Sequence, residues 1–93
     1  MTLLLKDPEA SLDYSIDWGA EYLGEDVLTA SRWMVSPAEP GGVAVEGNHF
    51  SPSLATVKAG GGIAGRVYRL VNSVTLLSGR TDSRSIVLRV EAR

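Results

Sequence analysis

The feature that most constrains this chain is a two-residue alternation of large apolar and polar side chains. In residues 12–18 every second side chain is large and apolar: Leu12, Tyr14, Ile16 and Trp18. Because successive side chains of a β-strand point to opposite faces, this pattern predicts a strand with one buried side. No window of about 11 residues sustains a helical apolar stripe, and residues 19–26 are expected to form at most one helical turn. The chain is therefore predicted to be all-β.

Two further alternating segments, residues 66–77 and 83–92, predict a long hairpin. Asn72 interrupts the first segment, and the residues between the two are rich in turn formers. We expect this hairpin to be the spine of one sheet. The four weaker strand candidates are residues 2–5, 27–35, 43–45 and 54–58. Residues 27–35 carry apolar side chains on both parities, so a β-bulge is needed to give that strand one inward face.

Seven predicted strands in 93 residues favour a single immunoglobulin-like β-sandwich domain of antiparallel strands over residues 1–93. A chain of this length has room for one core and little area for a deep internal active site. Tyr68 follows a glycine-rich corner, where such sandwiches place a tyrosine whose hydroxyl bonds to the preceding loop. Trp33 is expected to be the buried tryptophan of the third strand. Leu70 takes the position that a disulfide cysteine has in antibody domains.

Composition narrows the function classes. The chain has no cysteine, so it has no disulfide framework and no thiolate nucleophile. A net charge of −2 gives no uniform basic field, so a nucleic-acid partner is not expected. The longest apolar runs, such as residues 3–5, are far shorter than the ~18 residues of a membrane span, and the start of the sequence lacks a basic signal segment. Cytoplasmic synthesis and no membrane partner are the expectation.

Charge is unevenly distributed along the chain. Residues 1–48 carry nine acidic and two basic side chains, a net charge of −7, and residues 49–93 carry seven basic and two acidic ones, a net charge of +5. One interpretation is that the two halves interleave in space and pair across neighbouring strands. The other is a two-faced subunit whose basic patch docks on the acidic patch of the next copy.

Several residue patterns resemble catalytic or cofactor-binding motifs, but the sequence around them does not predict the local structure that those motifs need. Gly60, Gly62 and Gly65 match a dinucleotide-binding pattern, but the residues that follow predict a strand where the motif needs a helix N-terminus. His49, the only histidine, lies in a predicted loop with no nucleophile elbow nearby. Asp13 and Asp17, about 13 Å apart on one strand face, are too far apart for glycosidase chemistry. No catalytic, cofactor-binding or metal-ligating residue is therefore predicted.

Contact with partner proteins is the remaining role for exposed side chains. Tyr14 and Trp18 share the parity of the apolar stripe and are expected to pack in the core. The predicted contact residues are Arg80, Asp82 and Arg84 at the hairpin tip, Glu21, Glu25 and Asp26 in an acidic loop, and the loop aromatics Tyr22 and Phe50.

Several strings along the chain resemble a known protein family. They are Lys6-Asp7-Pro8-Glu9, residues 12–18 (Leu-Asp-Tyr-Ser-Ile-Asp-Trp), a second tryptophan strand, the glycine-rich corner, residues 68–72 (Tyr-Arg-Leu-Val-Asn) and residues 79–84 (Gly-Arg-Thr-Asp-Ser-Arg). Together they resemble small fiber-tail adaptor proteins encoded among the structural genes of tailed bacteriophages and prophages. The resemblance spans nearly the whole chain and implies no catalytic residue.

The resemblance implies a non-enzymatic virion protein in the tail or head-to-tail region that joins larger components such as fibers. Its expected partners are other virion structural proteins, with a homo-oligomeric ring as one arrangement, and it needs no cofactor. The alternative from another class is a carbohydrate-binding or adhesion module with a β-sandwich fold, whose sugar contacts would be Tyr22 or Phe50. A small hydrolase dependent on His49 is a third, disfavoured reading.

Overall fold

The computed structural model describes residues 2–92, which form seven strands and one short helix. In chain order the elements are β1 (Thr2–Lys6), β2 (Leu12–Asp17), α1 (Gly19–Leu23), β3 (Leu28–Ser36), β4 (Val43–Phe50), β5 (Leu54–Gly61), β6 (Val67–Leu76) and β7 (Thr81–Val90). The single helical turn expected between residues 19 and 26 is confirmed as α1. No helix in this part of the chain is long and apolar enough to cross a membrane.

The strands form two sheets, and the all-β sandwich is confirmed. The larger sheet has the order β1-β7-β6-β3 and the smaller one the order β2-β5-β4. The β6–β7 hairpin is central in the larger sheet, as predicted. Neighbouring strands are antiparallel except β1, which pairs parallel to β7 from Thr2 opposite Ile86 to Lys6 opposite Val90. With strands lettered A to G, sheet A-G-F-C faces sheet B-E-D, an order compatible with the immunoglobulin type, which stays a prediction.

The core lies between the sheets and consists of the inward members of the alternating pattern. On β6 the buried side chains are Tyr68, Leu70, Asn72, Val74 and Leu76. From the facing sheet and the segment after β2 come Ile16, Val57 and Trp18, all in the same apolar cluster. Each large apolar side chain removed from water in this way contributes roughly 1.5–3 kcal/mol before the entropy of ordering is subtracted.

Two register shifts explain where the strand predictions succeeded and failed. In β3 the shift falls between Leu28 and Ala30, which lets Leu28 and Trp33 both face the core. The bulge predicted for this strand is therefore confirmed. In β4 the shift falls between Val45 and Gly47, so the strand continues past residue 45, where the predicted strand ended.

Because of this continuation, the predicted strands at residues 43–45 and 54–58 were too short. β4 extends to Phe50, and β5 extends into the glycine-rich corner as far as Gly61. The loop placement of His49 and Phe50 was wrong, since His49 pairs with Thr56 and Phe50 with Ala55.

The glycine-rich corner closes the sandwich at the end opposite α1. The Tyr68 hydroxyl accepts a hydrogen bond from the Ile63 N–H (3.2 Å) and donates one to the Glu39 carboxylate (2.6 Å). Desolvation by burial, followed by the Glu39 bond, raises the pKa of the Tyr68 phenol. Gly61 has φ +73°, and a Cβ there would lie 2.7 Å from the Gly42 carbonyl oxygen, so the backbones approach closely only because the residue is glycine.

Two buried polar side chains connect elements across the molecule. Lys6 is fully buried, and its amino group donates to the carbonyl oxygens of Asp7 (2.9 Å) and Gly61 (2.5 Å), which links β1 to the other sheet. Desolvation lowers the pKa of Lys6, partly offset by Asp7 and Glu46. Asn72 accepts a hydrogen bond from the indole N–H of Trp18 (3.0 Å). The interruption at Asn72 in the apolar pattern is therefore an inward polar position.

Candidate partner-contact surfaces

Five of the eight predicted contact residues meet at one end of the sandwich. This end is where β2 leads into α1 and where the β6–β7 hairpin turns. We call the group the α1 cluster: Trp18, Tyr22, Asp26, Ser78, Arg80, Asp82 and Arg84.

Aromatic rings and arginines stack on one another within the α1 cluster. The Trp18 and Tyr22 rings lie 5.4 Å apart at a tilt of 51°. The Arg84 guanidinium lies 4.4 Å from the centre of the Trp18 ring and 5.0 Å from that of Tyr22, within the range of a cation–π contact. The Tyr22 hydroxyl donates a hydrogen bond to the Asp82 carboxylate. These contacts attach α1 to the start of β7.

Asp26 attaches the loop after α1 to the hairpin turn. Its carboxylate accepts hydrogen bonds from the Ser78 hydroxyl (2.6 Å), the Ser78 N–H (3.2 Å) and the Val27 N–H (3.0 Å). The Arg80 guanidinium lies 3.6 Å from the same carboxylate. The Ser78 hydroxyl bond is the main cause that lowers the pKa of Asp26.

Asp82 and Tyr22 influence each other through their shared hydrogen bond. The Tyr22 hydroxyl lowers the pKa of Asp82, with the Ser83 N–H as the second cause. The Asp82 bond is the first cause that raises the pKa of Tyr22. Both shifts favour the pair in which the carboxylate is ionised and the phenol protonated, so the cluster is fully formed at neutral pH.

The placement of the predicted contact residues differs in part from the expectation. Tyr22 lies in α1 rather than in a loop. Asp82 and Arg84 lie on β7, because that strand begins at Thr81 and leaves only Arg80 in the turn. The hydrogen-bonded turn is tighter than the sequence suggested, closed by bonds of Leu76 to Arg80 and of Gly79 to Leu76.

Glu25 and Phe50, two of the other three predicted contact residues, do not join these interactions. Glu25 is exposed in the loop after α1, and Phe50 ends β4 with 40% of its surface exposed. Glu21 belongs to α1, but its side chain lies outside the described part of the chain.

The outer side of the four-stranded sheet combines apolar and cationic side chains. Its exposed apolar members are Leu3, Leu5, Met34 and Val67, which are 48–61% exposed. Its cations are Arg32, Arg69 and Arg89, each of which is exposed and adjacent in sequence to a buried residue of the core cluster. We call these seven residues the basic face. Exposed apolar side chains interspersed with arginines are common at protein contact sites.

Most of the charged side chains on the outer side of the three-stranded sheet are carboxylates. Asp13 and Asp17 project from β2 opposite in parity to buried Ile16. Glu46, at the β4 bulge, places its carboxylate directly over Gly60 of β5, in the space that a Cβ at this position would occupy. Lys58, which pairs with Asp13, is the cation on this side. We call Asp13, Asp17, Glu46 and Lys58 the acidic face.

The arginines of the basic face are not among the predicted contact residues. The signal was present, because Arg32 precedes Trp33 and Arg69 stands between Tyr68 and Leu70, so both have the outward parity. Asp13 and Asp17 were expected on a solvated strand face, and both are exposed.

An open groove of about 790 Å³ crosses the larger sheet near the bulge in β3. Hydroxyl groups dominate its lining, with Ser31, Ser73, Thr75, Thr81 and Ser83 among the residues that form it. His49 lies on β4 in the other sheet and does not contribute to it. Between residues 2 and 92, no group of three or more His, Asp or Glu side chains is arranged to hold a metal ion.

Comparison with known proteins identifies the family. No curated protein matches the sequence. A family model described as "Podophage GP4 fiber-tail adaptor protein gp77" matches residues 6–89. The match includes the six strands from β2 to β7 in nearly their full length, together with α1 and the glycine-rich corner. The chain therefore belongs to the podophage GP4 fiber-tail adaptor protein gp77 family.

Proposed function

We propose that this protein is a non-enzymatic virion component that joins fibers to the phage tail or head-to-tail region. The observation that carries the proposal is the family match over residues 6–89. The family supports a structural adaptor role, and the chemistry of the two sheet faces suits it. A small sandwich with two exposed broad faces offers docking area on both sides and needs no internal cavity.

Multivalency supplies the affinity that one small contact lacks. Each chain is only 9.9 kDa, so its individual contacts with fiber and tail proteins are small. When several copies are held together, for example in a ring, the second and later contacts form at high effective concentration. Copies of the adaptor therefore act together on their partners, and the virion is where the protein works.

The test uses a phage that carries the gene. Mass spectrometry of purified particles is expected to detect the protein, and immunogold labelling is expected to place it in the tail region. Particles made without it are expected to have tails but to lack fibers, and wild-type protein supplied in trans should restore the fibers. Absence of the protein from mature particles, or normal fibers without it, would overturn the proposal.

A further inference from the structure

The two sheet faces carry charges of opposite sign, and among the charged residues of the two faces that the structure describes only Arg89 takes part in a salt bridge. The salt bridges of residues 2–92 join Arg66 to Glu39, Arg80 to Asp26 and Arg89 to Glu91. None of them includes Arg32 or Arg69 of the basic face, nor any carboxylate of the acidic face. The internal pairs therefore lie at the ends and strand termini, while the broad faces keep opposite charges available.

From this asymmetry we propose that the basic face of one copy binds the acidic face of a second copy. The contact is head-to-tail, because one copy contributes its basic face and the other copy contributes its acidic face. It rests on the self-association included in the proposed function and names the surfaces that perform it. An isologous contact of two basic faces would instead bring Arg32 and Arg69 of both copies close together at a cost in free energy.

Along the strand direction, the like charges have the same spacing on both faces. Arg32 pairs with Ser73, which is four residues from Arg69 along β6. Asp13 and Asp17 are also four residues apart, along β2. At a rise of about 3.3 Å per residue, each pair of like charges is separated by about 13 Å along the strand direction. Two arginines of one copy can therefore meet two aspartates of the next when the strands of the facing sheets run roughly in line.

The apolar part of the basic face adds stabilisation that charge pairs alone do not give. Exposed ion pairs contribute about 0–1 kcal/mol each, so they mainly set the orientation of the contact. Burial of Leu3, Leu5, Met34 and Val67 against the second copy, whose acidic side includes the 38% exposed Leu54, supplies the hydrophobic contribution. The chain measures 42 × 21 × 17 Å, so a broad face is close to the ~800 Å² that one partner contributes to a standard interface.

Repetition of a head-to-tail contact builds a closed ring or an open filament, depending on the rotation between successive copies. Because the same two faces are used at every step, each copy in the interior of the assembly has both faces covered. The α1 cluster and the glycine-rich corner stay exposed at the two ends of every sandwich, where other virion proteins have access to them.

Two charge-reversed variants test the proposal. Arg32→Glu/Arg69→Glu makes both faces acidic, and Asp13→Lys/Asp17→Lys makes both faces basic. Glu9→Lys/Ala38→Lys/Ala64→Lys is the control, because it changes the net charge as much as the second variant but alters exposed residues outside both faces and outside the predicted contact set. The measurement is molar mass by light scattering across protein concentration, at about 50 mM and about 1 M salt, with circular dichroism to verify folding of every variant.

We expect the wild-type chain and the control to associate at low salt and to dissociate towards 9.9 kDa at high salt. Each reversed variant alone should associate at least tenfold more weakly. An equimolar mixture of the two reversed variants should regain association, because every acidic face then meets a basic one. Association of the reversed variants at the wild-type level, or no gain on mixing, overturns the proposal.

The failures of the two proposals are distinguishable. A wild-type chain that stays monomeric at several hundred micromolar and low salt overturns the head-to-tail contact. Detection of the protein in particles that need it for fibers would still support the adaptor role, with tail or fiber proteins as the occupants of both faces. Absence from particles overturns the adaptor role whatever the light scattering shows.

Discussion

Replacement of Asn72 by leucine tests how a single polar residue organises the core. Asn72 is fully buried, accepts the Trp18 indole N–H at 3.0 Å, and donates to the Ser31 hydroxyl at 2.9 Å and the Arg32 carbonyl at 3.1 Å. Leucine has the same branched arrangement of side-chain heavy atoms and is larger, so the substitution removes hydrogen bonds without opening a cavity. The indole N–H would then be left buried without a partner, since Trp18 is only 1% exposed.

The expected loss in the free energy of unfolding follows from the three hydrogen bonds of Asn72. Each contributes about 1 kcal/mol, and an orphaned buried donor adds a desolvation penalty of about 1–3 kcal/mol. Burial of the leucine side chain returns about 1.5–3 kcal/mol, so Asn72→Leu should cost about 1–4 kcal/mol in total. For a domain of this size each kcal/mol lowers Tm by about 4–8 °C. Urea and thermal unfolding followed by far-UV circular dichroism measure both quantities.

A double-mutant cycle with Trp18→Phe isolates the bond between the two side chains. Trp18→Phe removes the indole donor, so adding Asn72→Leu to it should cost at least 1 kcal/mol less than Asn72→Leu in the wild-type chain. The reasoning is refuted if Asn72→Leu lowers the unfolding free energy by less than about 0.5 kcal/mol. It is also refuted if the two substitutions are additive, because the hydrogen bond would then carry no coupling.

Two further predictions concern the corner and the α1 cluster. Gly61→Ala should destabilise the chain by about 1–3 kcal/mol, because the new Cβ would meet the Gly42 carbonyl oxygen and φ is positive. Gly47→Ala, where a Cβ meets nothing within 4 Å, is the control and should change the unfolding free energy by less than about 1 kcal/mol in urea titrations. The folded chain holds the pKa values of Asp26 and Asp82 below their ordinary value. Their ionised carboxylates therefore stabilise the folded chain above the unfolded pKa of about 3.9, and this stabilisation is lost as the pH falls through the folded pKa values. The unfolding midpoint should therefore fall on acidification from pH 6 to pH 3, and less steeply in Asp26→Asn/Asp82→Asn.

Opposite outcomes would contradict each of these arguments. Equal effects of Gly61→Ala and Gly47→Ala would mean that the corner relaxes around a methyl group. An identical acid dependence in the wild-type chain and in Asp26→Asn/Asp82→Asn would mean that other carboxylates dominate the response to pH.

The sequence predicted those parts of the fold in which the local pattern and the tertiary structure agree. The alternation from Leu12 to Trp18 predicted β2 and its buried side, and the two alternating segments predicted the β6–β7 hairpin. At Gly47 the local signal misled, since the glycine belongs to a bulge and the pairing of β4 with β5 continues past it. Glycine alone does not tell a bulge from a strand end, because the difference lies in the partner strand.

The candidate site was harder to predict, because its residues are distant in sequence. Arg80, Asp82 and Arg84 were expected to contact a partner protein, yet in the folded chain they contact Tyr22, Trp18 and Asp26. Their residue types indicated polar contacts but gave no information about whether these contacts are made within the chain or with another protein.

The parallel pairing of β1 with β7 has a mechanical consequence. Thr2 lies opposite Ile86 and Lys6 opposite Val90, so both strands run towards the same end of the molecule. A pulling force applied before Thr2 and after Val90 in opposite directions acts along the strands and strains the whole ladder of hydrogen bonds at once, since parallel ladders have evenly spaced bonds. Such loading resists rupture better than peeling, in which bonds break one after another. An adaptor protein whose first and last strands are paired in this way is therefore expected to resist a pulling force along the strand direction.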